Sequence, residues 1–234
     1  MIQPVDYSKR LLVGTPLVGW KCDRGEHLTW LKHRNDIAST FPNAEFFAAL
    51  ELDNRGVEPF QEVIAAMEGT YWTYTINDYE ETVTSGNRWI RIETGRNLIR
   101  EYAQRSHFDA VLYVDSDMNL TVEMVEKMLE VDHPLVGVNV PEYVLSGTVV
   151  SENPHIEEHW TTAGMLLVNA PAYYDLPWSH NARLNLSDDP TFQRMSDLLG
   201  YGMTWVRKDL NAKHEGQLVA VENRNIPKRL THQQ

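Results

Sequence analysis

The stretch "DAVLYVD", residues 109–115, constrains the fold of this 234-residue chain more than any other part of it. From Ala110 to Val114 no polar residue interrupts the apolar run, and an aspartate stands at either end. A strand with one wet face alternates polar and apolar side chains. A uniform run of this length fits a strand covered on both faces, as in a parallel sheet with helices on either side.

The segments around it support that architecture. "RLLVGTPLVGW" and "NAEFFAALELDN" are apolar runs of strand length, and "GTYWTYTIND" is rich in aromatic and β-branched residues. Between the first two lies "EHLTWLKHRNDIAST", whose Leu28, Leu31 and Ile37 suit one face of a helix. "VEPFQEVIAAMEG" is a second helix candidate, closed by Gly69. From Asn87 to Gln104, Trp89, Ile92, Ile99 and Tyr102 recur at helical spacing. Beyond "DAVLYVD", Val122, Val125 and Leu129 share a helix face, and "HPLVGVNV" is the next strand. Strand and helix thus alternate over the first 140 or so residues, which predicts a doubly wound, mostly parallel sheet. In the later half, "HWTTAGMLLVNAPAYYDL" predicts a strand and a turn at Pro171, and "DDPTFQRMSDLLG" a helix ending at Gly200. "MTWVRKDLNAKHEG" predicts a last strand running into a loop that bears His214.

Composition narrows the class. A net charge of −12 without a long block of Lys or Arg argues against broad phosphate-backbone binding and against an anionic membrane surface. No stretch approaches the roughly 18 apolar residues of a membrane span, so none is expected. The single cysteine, Cys22, cannot form an internal disulfide and suits a reducing, cytoplasmic setting.

The apolar run ends in Asp115-Ser116-Asp117. If the segment stays extended, the two carboxylates project to one side. They then stand beyond the carboxyl end of a strand, where open α/β sheets bind ligands. Such a pair can hold Mg²⁺ or Mn²⁺ and leave coordination positions for water and phosphate. The plainer reading is an acidic turn before a helix, with Thr121 as its cap and Glu123 in the first turn. A calcium loop also matches at Asp115, Asp117, Asn119, Glu123 and Glu126. However, Leu120 stands where the loop needs glycine, and the preceding segment reads as a strand.

The order of "YVDSD", an apolar strand, "TTAGMLLVN", "SDDPTFQR" and "VRKDLNAKHEG" resembles glycosyltransferases of the GT-A fold, particularly the family 2-like group, over about residues 10–216. The resemblance implies a Rossmann-like single domain. Residues from about 10 to 117 would form its nucleotide-binding half, 118 to 216 its acceptor side, and 217 to 234 a polar tail. It implies a nucleoside-diphosphate sugar as donor and Mn²⁺ or Mg²⁺ as cofactor, held by Asp117 with Asp115 beside it and His214 completing the site. Asp189, in the Asp position of the family's Glu-Asp motif, would be the general base of an inverting transfer. Ser187 and Asp188 can equally cap the helix that Pro190 begins. Thr15, Pro16, Asp53 and Arg96 would lie along the nucleotide; their ordinary readings are a strand-ending turn, a loop Asp and a solvated helix Arg. Gly164 would admit a sugar close to the backbone, or mark a strand bulge.

The Gln-x-x-Arg-Trp signature of processive synthases is missing, so a single sugar transfer is expected. The acceptor stays open among a glycan, a protein, a modified nucleic acid and a small molecule. A sugar nucleotidyltransferase is the alternative enzyme, although "VGTPLVGWKCD" lacks that group's Gly-rich basic loop. A non-catalytic metal- or carbohydrate-binding protein is the alternative of another class.

Overall fold

The computed structural model describes residues 3–67, 70–76, 85–138, 164–179 and 188–205. In chain order the elements are β1 (Leu11–Val18), α1 (Gly19–Asp23), α2 (Glu26–Thr40) and β2 (Ala44–Glu51). A 3-10 turn (Glu58–Phe60) then leads into α3 (Gln61–Met67), followed by β3 (Tyr71–Tyr74), α4 (Ser85–Ser106), β4 (Ala110–Val114) and α5 (Val122–Leu129). The later elements are β5 (Leu135–Gly137), β6 (Met165–Asn169), α6 (Ala172–Asp175), α7 (Asp188–Leu198) and β7 (Thr204–Trp205).

The strands form one sheet in the order β3-β2-β1-β4-β6-β5-β7. β6 runs antiparallel to both β4 and β5, and every other pairing is parallel. The mostly parallel, doubly wound sheet expected from the sequence is therefore present.

Strand alternation sorts the apolar side chains into two cores, one on each face. Leu11, Val13, Leu17, Leu112 and Val114 pack with Ile37, Phe41, Val63, Val125 and Met128 under α2, α3 and α5. Leu12, Phe47, Val111, Tyr113 and Leu166 pack with Ile99, Ala103, Tyr173, Trp178 and Phe192 under α4, α6 and α7. Every residue of β4 is buried, which explains why its sequence carries no polar alternate. One expected core position fails. Leu28 is largely exposed, while Ile37 is fully buried and Leu31 packs against the core. Among the described residues no helix is long and apolar enough to cross a membrane.

The direction of winding reverses beside β1. β1 pairs with β2 from Leu11 to Val18, but with β4 only from Leu11 to Gly14. Beyond Gly14 the β4 side of β1 is open, and this is the crevice where a doubly wound sheet takes its ligands. The sequence reading had Thr15 and Pro16 ending the strand, and this is corrected: both lie inside β1, which runs on to Val18. Proline is tolerated there because the ladder to β4 has already stopped.

Two glycines bring α4 down onto this strand. A Cβ at Gly14 would stand 2.2 Å from Ile99 Cγ2, and one at Gly95 would stand 2.8 Å from Pro16 Cβ and 3.0 Å from the Tyr74 hydroxyl. Helix propensity alone favours alanine over glycine by about 1 kcal/mol. Overpacking against a rigid proline ring costs about 1–3 kcal/mol and should outweigh it. Gly95→Ala is therefore expected to lower the urea midpoint, and a variant more stable than the parent would refute the close contact.

Candidate active site

The carboxyl edge of the sheet is built around the residues that follow β4. The Asp115 backbone N–H donates to Gly164 O at 2.9 Å, extending the β4–β6 ladder by one residue. The chain then turns, with Met118 N–H donating to Asp115 O at 3.0 Å. The segment is thus a hydrogen-bonded turn, so the expectation that extended alternation aims both carboxylates to one side is corrected. Gly164 faces Met118, whose Sδ would lie 3.2 Å from any Cβ placed there. Its absent side chain lets β6 and the turn close on each other, which is the use the structure makes of this glycine.

Each carboxylate meets a base, and the bases come from the two layers. Arg96 on α4 places Nη2 3.2 Å from Asp115 Oδ1. Lys21 on α1 places Nζ 3.0 Å from Asp117 Oδ2. α4 belongs to the core on one face, while Cys22, next to Lys21, belongs to the core on the other. The turn is therefore clasped from above and below the sheet.

Arg96 is only 2% exposed, which corrects its reading as a solvated helix arginine. Its guanidinium lies 4.5 Å from the centre of the Trp178 ring. Trp178 is fixed by Asn97: Asn97 Nδ2 donates to Trp178 O at 2.8 Å and accepts in return, through Oδ1, from Trp178 N–H at 3.0 Å. The indole also stacks on Phe192 of α7 at 4.0 Å and meets Tyr113 edge-on at 5.1 Å. A cation under an aromatic ring in a dry site gains from the ring's negative face, so the guanidinium is held while it faces Asp115.

Asp53 lies two residues past the end of β2, in a turn bridged to Gly56. Its carboxylate accepts from Arg55 Nη2 at 2.7 Å, and Arg55 also donates to Asp23 at 2.8 Å. Hydrogen bonds from Arg55 hold the Asp53 carboxyl below its ordinary pKa. A Cβ at Gly19 would stand 2.9 Å from Asp53 Oδ2, so α1 starts directly against this group. Behind it, Glu51 is buried and paired with Arg91 of α4 at 3.3 Å.

The helix cap and the acidic turn are both present. Thr121 Oγ1 accepts from Met124 N–H at 3.3 Å, and Glu123 lies in the first turn of α5. β4 precedes the turn and Leu120 is buried, so the calcium-loop geometry is absent. Among the described residues no group of three His, Cys, Asp or Glu side chains converges as a metal cage.

The donor atoms at the turn nevertheless suit a hard divalent cation. Besides the two carboxylates, Ser116 Oγ and Asn119 Oδ1 are buried with no hydrogen-bond partner among the described residues. An all-oxygen set of this kind is what Mg²⁺ and Mn²⁺ prefer.

The structure brings Pro16, Asp53, Arg96, Asp115, Asp117 and Gly164 to one edge. The Thr15 side chain is fully buried, and alternation along β1 points it to the α2 face with Val13 and Leu17. Asp189 falls in the first turn of α7, but its side chain, like the whole of His214, lies outside the described residues. Lys21 and Trp178 were not singled out from the sequence as site residues, and no local signal links either to an aspartate so distant along the chain. A cleft of about 550 Å³ beside α4, lined by Thr94, Asn97, Arg100, Glu101, Gln104 and Pro177, contains none of Asp53, Asp115 and Asp117. It is a seam between helix and loop, away from the oxygen donors that could do chemistry.

Neither a family model nor a curated protein matches the sequence. Solved structures do match the backbone. A mannosyltransferase from Pyrobaculum calidifontis, solved with GDP-Man and Mn²⁺, is similar at a TM-score of 0.56 and 10% identity, over 93% of this chain. This chain spans 61% of that enzyme's length. The galactosyltransferase LgtC, solved with donor and acceptor sugar analogues, aligns at a TM-score of 0.44 and 11% identity, over 83% of this chain and 72% of that one. The architecture is the GT-A fold.

Two outcomes follow from the clasp. Arg96→Met leaves Asp115 without its buried counter-charge, a loss of about 3–5 kcal/mol for fully buried pairs. Asp115 is 27% exposed and can rehydrate in part, so about 2–3 kcal/mol is expected by chemical denaturation. Adding Asp115→Asn should restore part of that loss, and a double variant no better than the single one would refute the pairing.

Burial pushes the Tyr113 phenol up to about 12 from 10. The unfolded chain ionises this group first, so its contribution to stability is complete below about pH 10 and is lost as pH rises toward 12. Tyr113→Phe should flatten that alkaline limb, read as melting temperature against pH.

Proposed function

We propose that the chain is a metal-dependent glycosyltransferase that moves one sugar from a nucleoside-diphosphate sugar to a hydroxyl acceptor. The observation that carries this reading is the Asp115–Ser116–Asp117 turn, set at the carboxyl edge beside the open end of β1. Open α/β sheets bind nucleotides at that position, and the similar Pyrobaculum mannosyltransferase was solved with GDP-Man and Mn²⁺.

In this reading Asp117, with Asp115 beside it and His214 from the later part of the chain, holds Mn²⁺ or Mg²⁺. When bound, the cation supplies Lewis-acid stabilisation of the charge that grows on the departing nucleoside diphosphate. The chain's own residues set the geometry. Arg96 is too buried to greet a ligand directly and acts by orienting the Asp115 carboxylate. Asp53, beside the start of α1, reads the edge of the base, with Thr15 and Pro16 forming the strand beneath the nucleotide. Gly164 keeps β6 close to the turn.

On the acceptor side, Asp189 takes the proton from the attacking hydroxyl if the transfer inverts, which requires it within hydrogen-bond reach of that oxygen. The nucleotide half spans about residues 10–117 and the acceptor half about 118–216. A single transfer in a reducing, cytoplasmic setting fits the missing processive signature and the lone Cys22. The acceptor is a glycan, a protein, a modified nucleic acid or a small molecule.

A panel of nucleotide sugars, assayed for Mn²⁺-dependent hydrolysis and transfer, tests this. Asp117→Ala is expected to lower metal-stimulated turnover by about 10²–10³-fold, as loss of one electrostatic stabiliser does. Turnover unchanged by that substitution, or release of pyrophosphate from a nucleoside triphosphate and sugar phosphate, would overturn it.

A further inference from the structure

The donor reading gives Asp117 to the divalent cation, yet in the folded chain an ammonium already holds that carboxylate. Lys21 Nζ lies 3.0 Å from Asp117 Oδ2, with the two side chains only 20% and 17% exposed. Lys21 sits on α1, immediately past β1, and so stands at the opening where β1 has lost β4. A divalent ion and an ammonium at contact distance from one carboxylate repel each other, and partial burial strengthens that repulsion. An ion on Asp117 therefore weakens the hold of Lys21 on that carboxylate.

The two bases differ in their freedom to do so. Arg96 is 2% exposed and pressed against Trp178, so its guanidinium is fixed. Lys21 is a point charge on a flexible stem whose neighbour, Trp20, is substantially exposed, with its ring 5.9 Å from Nζ. A diphosphate arriving with the cation offers that ammonium a new counter-charge, and lysine commonly serves phosphate as a point charge.

We propose that Lys21 is a diphosphate-binding residue that exchanges its hold on Asp117 for the diphosphate oxygens when cation and nucleotide bind together. The proposal rests on the donor reading given above. Lys21 then opposes the cation alone and assists the cation–diphosphate pair. By linkage, the metal and the nucleotide each tighten the other's binding.

The test uses the full chain and two binding measurements that require no turnover. Free Mn²⁺ is followed by electron paramagnetic resonance with Mn²⁺ alone. ADP, CDP, GDP, UDP and dTDP are then titrated by calorimetry at saturating Mn²⁺. Lys21→Met is expected to bind Mn²⁺ alone about three- to tenfold more tightly, the range that loss of one competing ion pair allows. It should bind its preferred diphosphate about tenfold more weakly. Lys21→Arg, which keeps the charge, should retain most of the diphosphate affinity, and matched melting curves exclude misfolding.

A Lys21→Met protein that binds Mn²⁺ no more tightly than the parent, or that loses no diphosphate affinity, overturns the exchange. Asp117→Asn separates the two levels. If it weakens Mn²⁺ while Lys21→Met changes nothing, the exchange fails and the donor reading stands. If the parent binds none of ADP, CDP, GDP, UDP and dTDP, or if Asp117→Asn leaves Mn²⁺ binding intact, both fail together.

Discussion

Two carboxylates held at the edge of a sheet by bases from opposite layers are the constraint on which this molecule turns. Asp115 answers to Arg96 and Asp117 to Lys21. Without those partners the turn after β4 would carry two adjacent negative charges in a partly dry crevice. That arrangement is costly because each ion loses water and repels the other. With them, the turn is near neutral overall while its oxygens stay at the ligand-binding edge. A cation entering there meets oxygens already in place, with Lys21 as the ammonium it opposes.

The clasp depends on packing several residues away. Arg96 reaches Asp115 because Gly14 and Gly95 let α4 settle onto β1, and it stays there because Trp178 lies against its guanidinium. Asn97 secures Trp178 through both backbone groups, and Phe192, on the helix that begins at Asp188, stacks on its indole. One continuous set of contacts therefore joins the carboxylate turn to the helix that carries Asp189. Buried ion pairs of this kind add little net stability, but removing one partner is expensive. Their value here is in specifying one geometry for the turn.

Much of the fold was legible from local pattern. The all-apolar run of β4, the apolar runs of β1 and β2, and the helical spacing of Ile92, Ile99 and Tyr102 each reflect an environment imposed on neighbouring residues. Periodicity failed where tertiary packing outweighed it. Leu28 has helical spacing but lies exposed, while its neighbour His27 takes the buried position and pairs with Glu62. Pro16 looks like the end of a strand and instead sits inside one, since only the departure of β4 makes a missing N–H harmless there. Asp115 and Asp117 look like alternating strand positions, whereas a hydrogen bond from Met118 folds them into a turn.

By itself the sequence determined the alternation of strands and helices, the two-sided burial of β4, and the presence of an acidic pair where that strand ends. These are properties of adjacent residues, so short-range pattern carries them. Which base meets which carboxylate was decided only in the folded chain. Lys21 and Asp117 are 96 positions apart, and Arg96 becomes a buried partner only because two glycines let its helix approach. Charge pairing depends on distance in space, and the sheet order, with β1 beside β4, is what converts that long separation along the chain into contact.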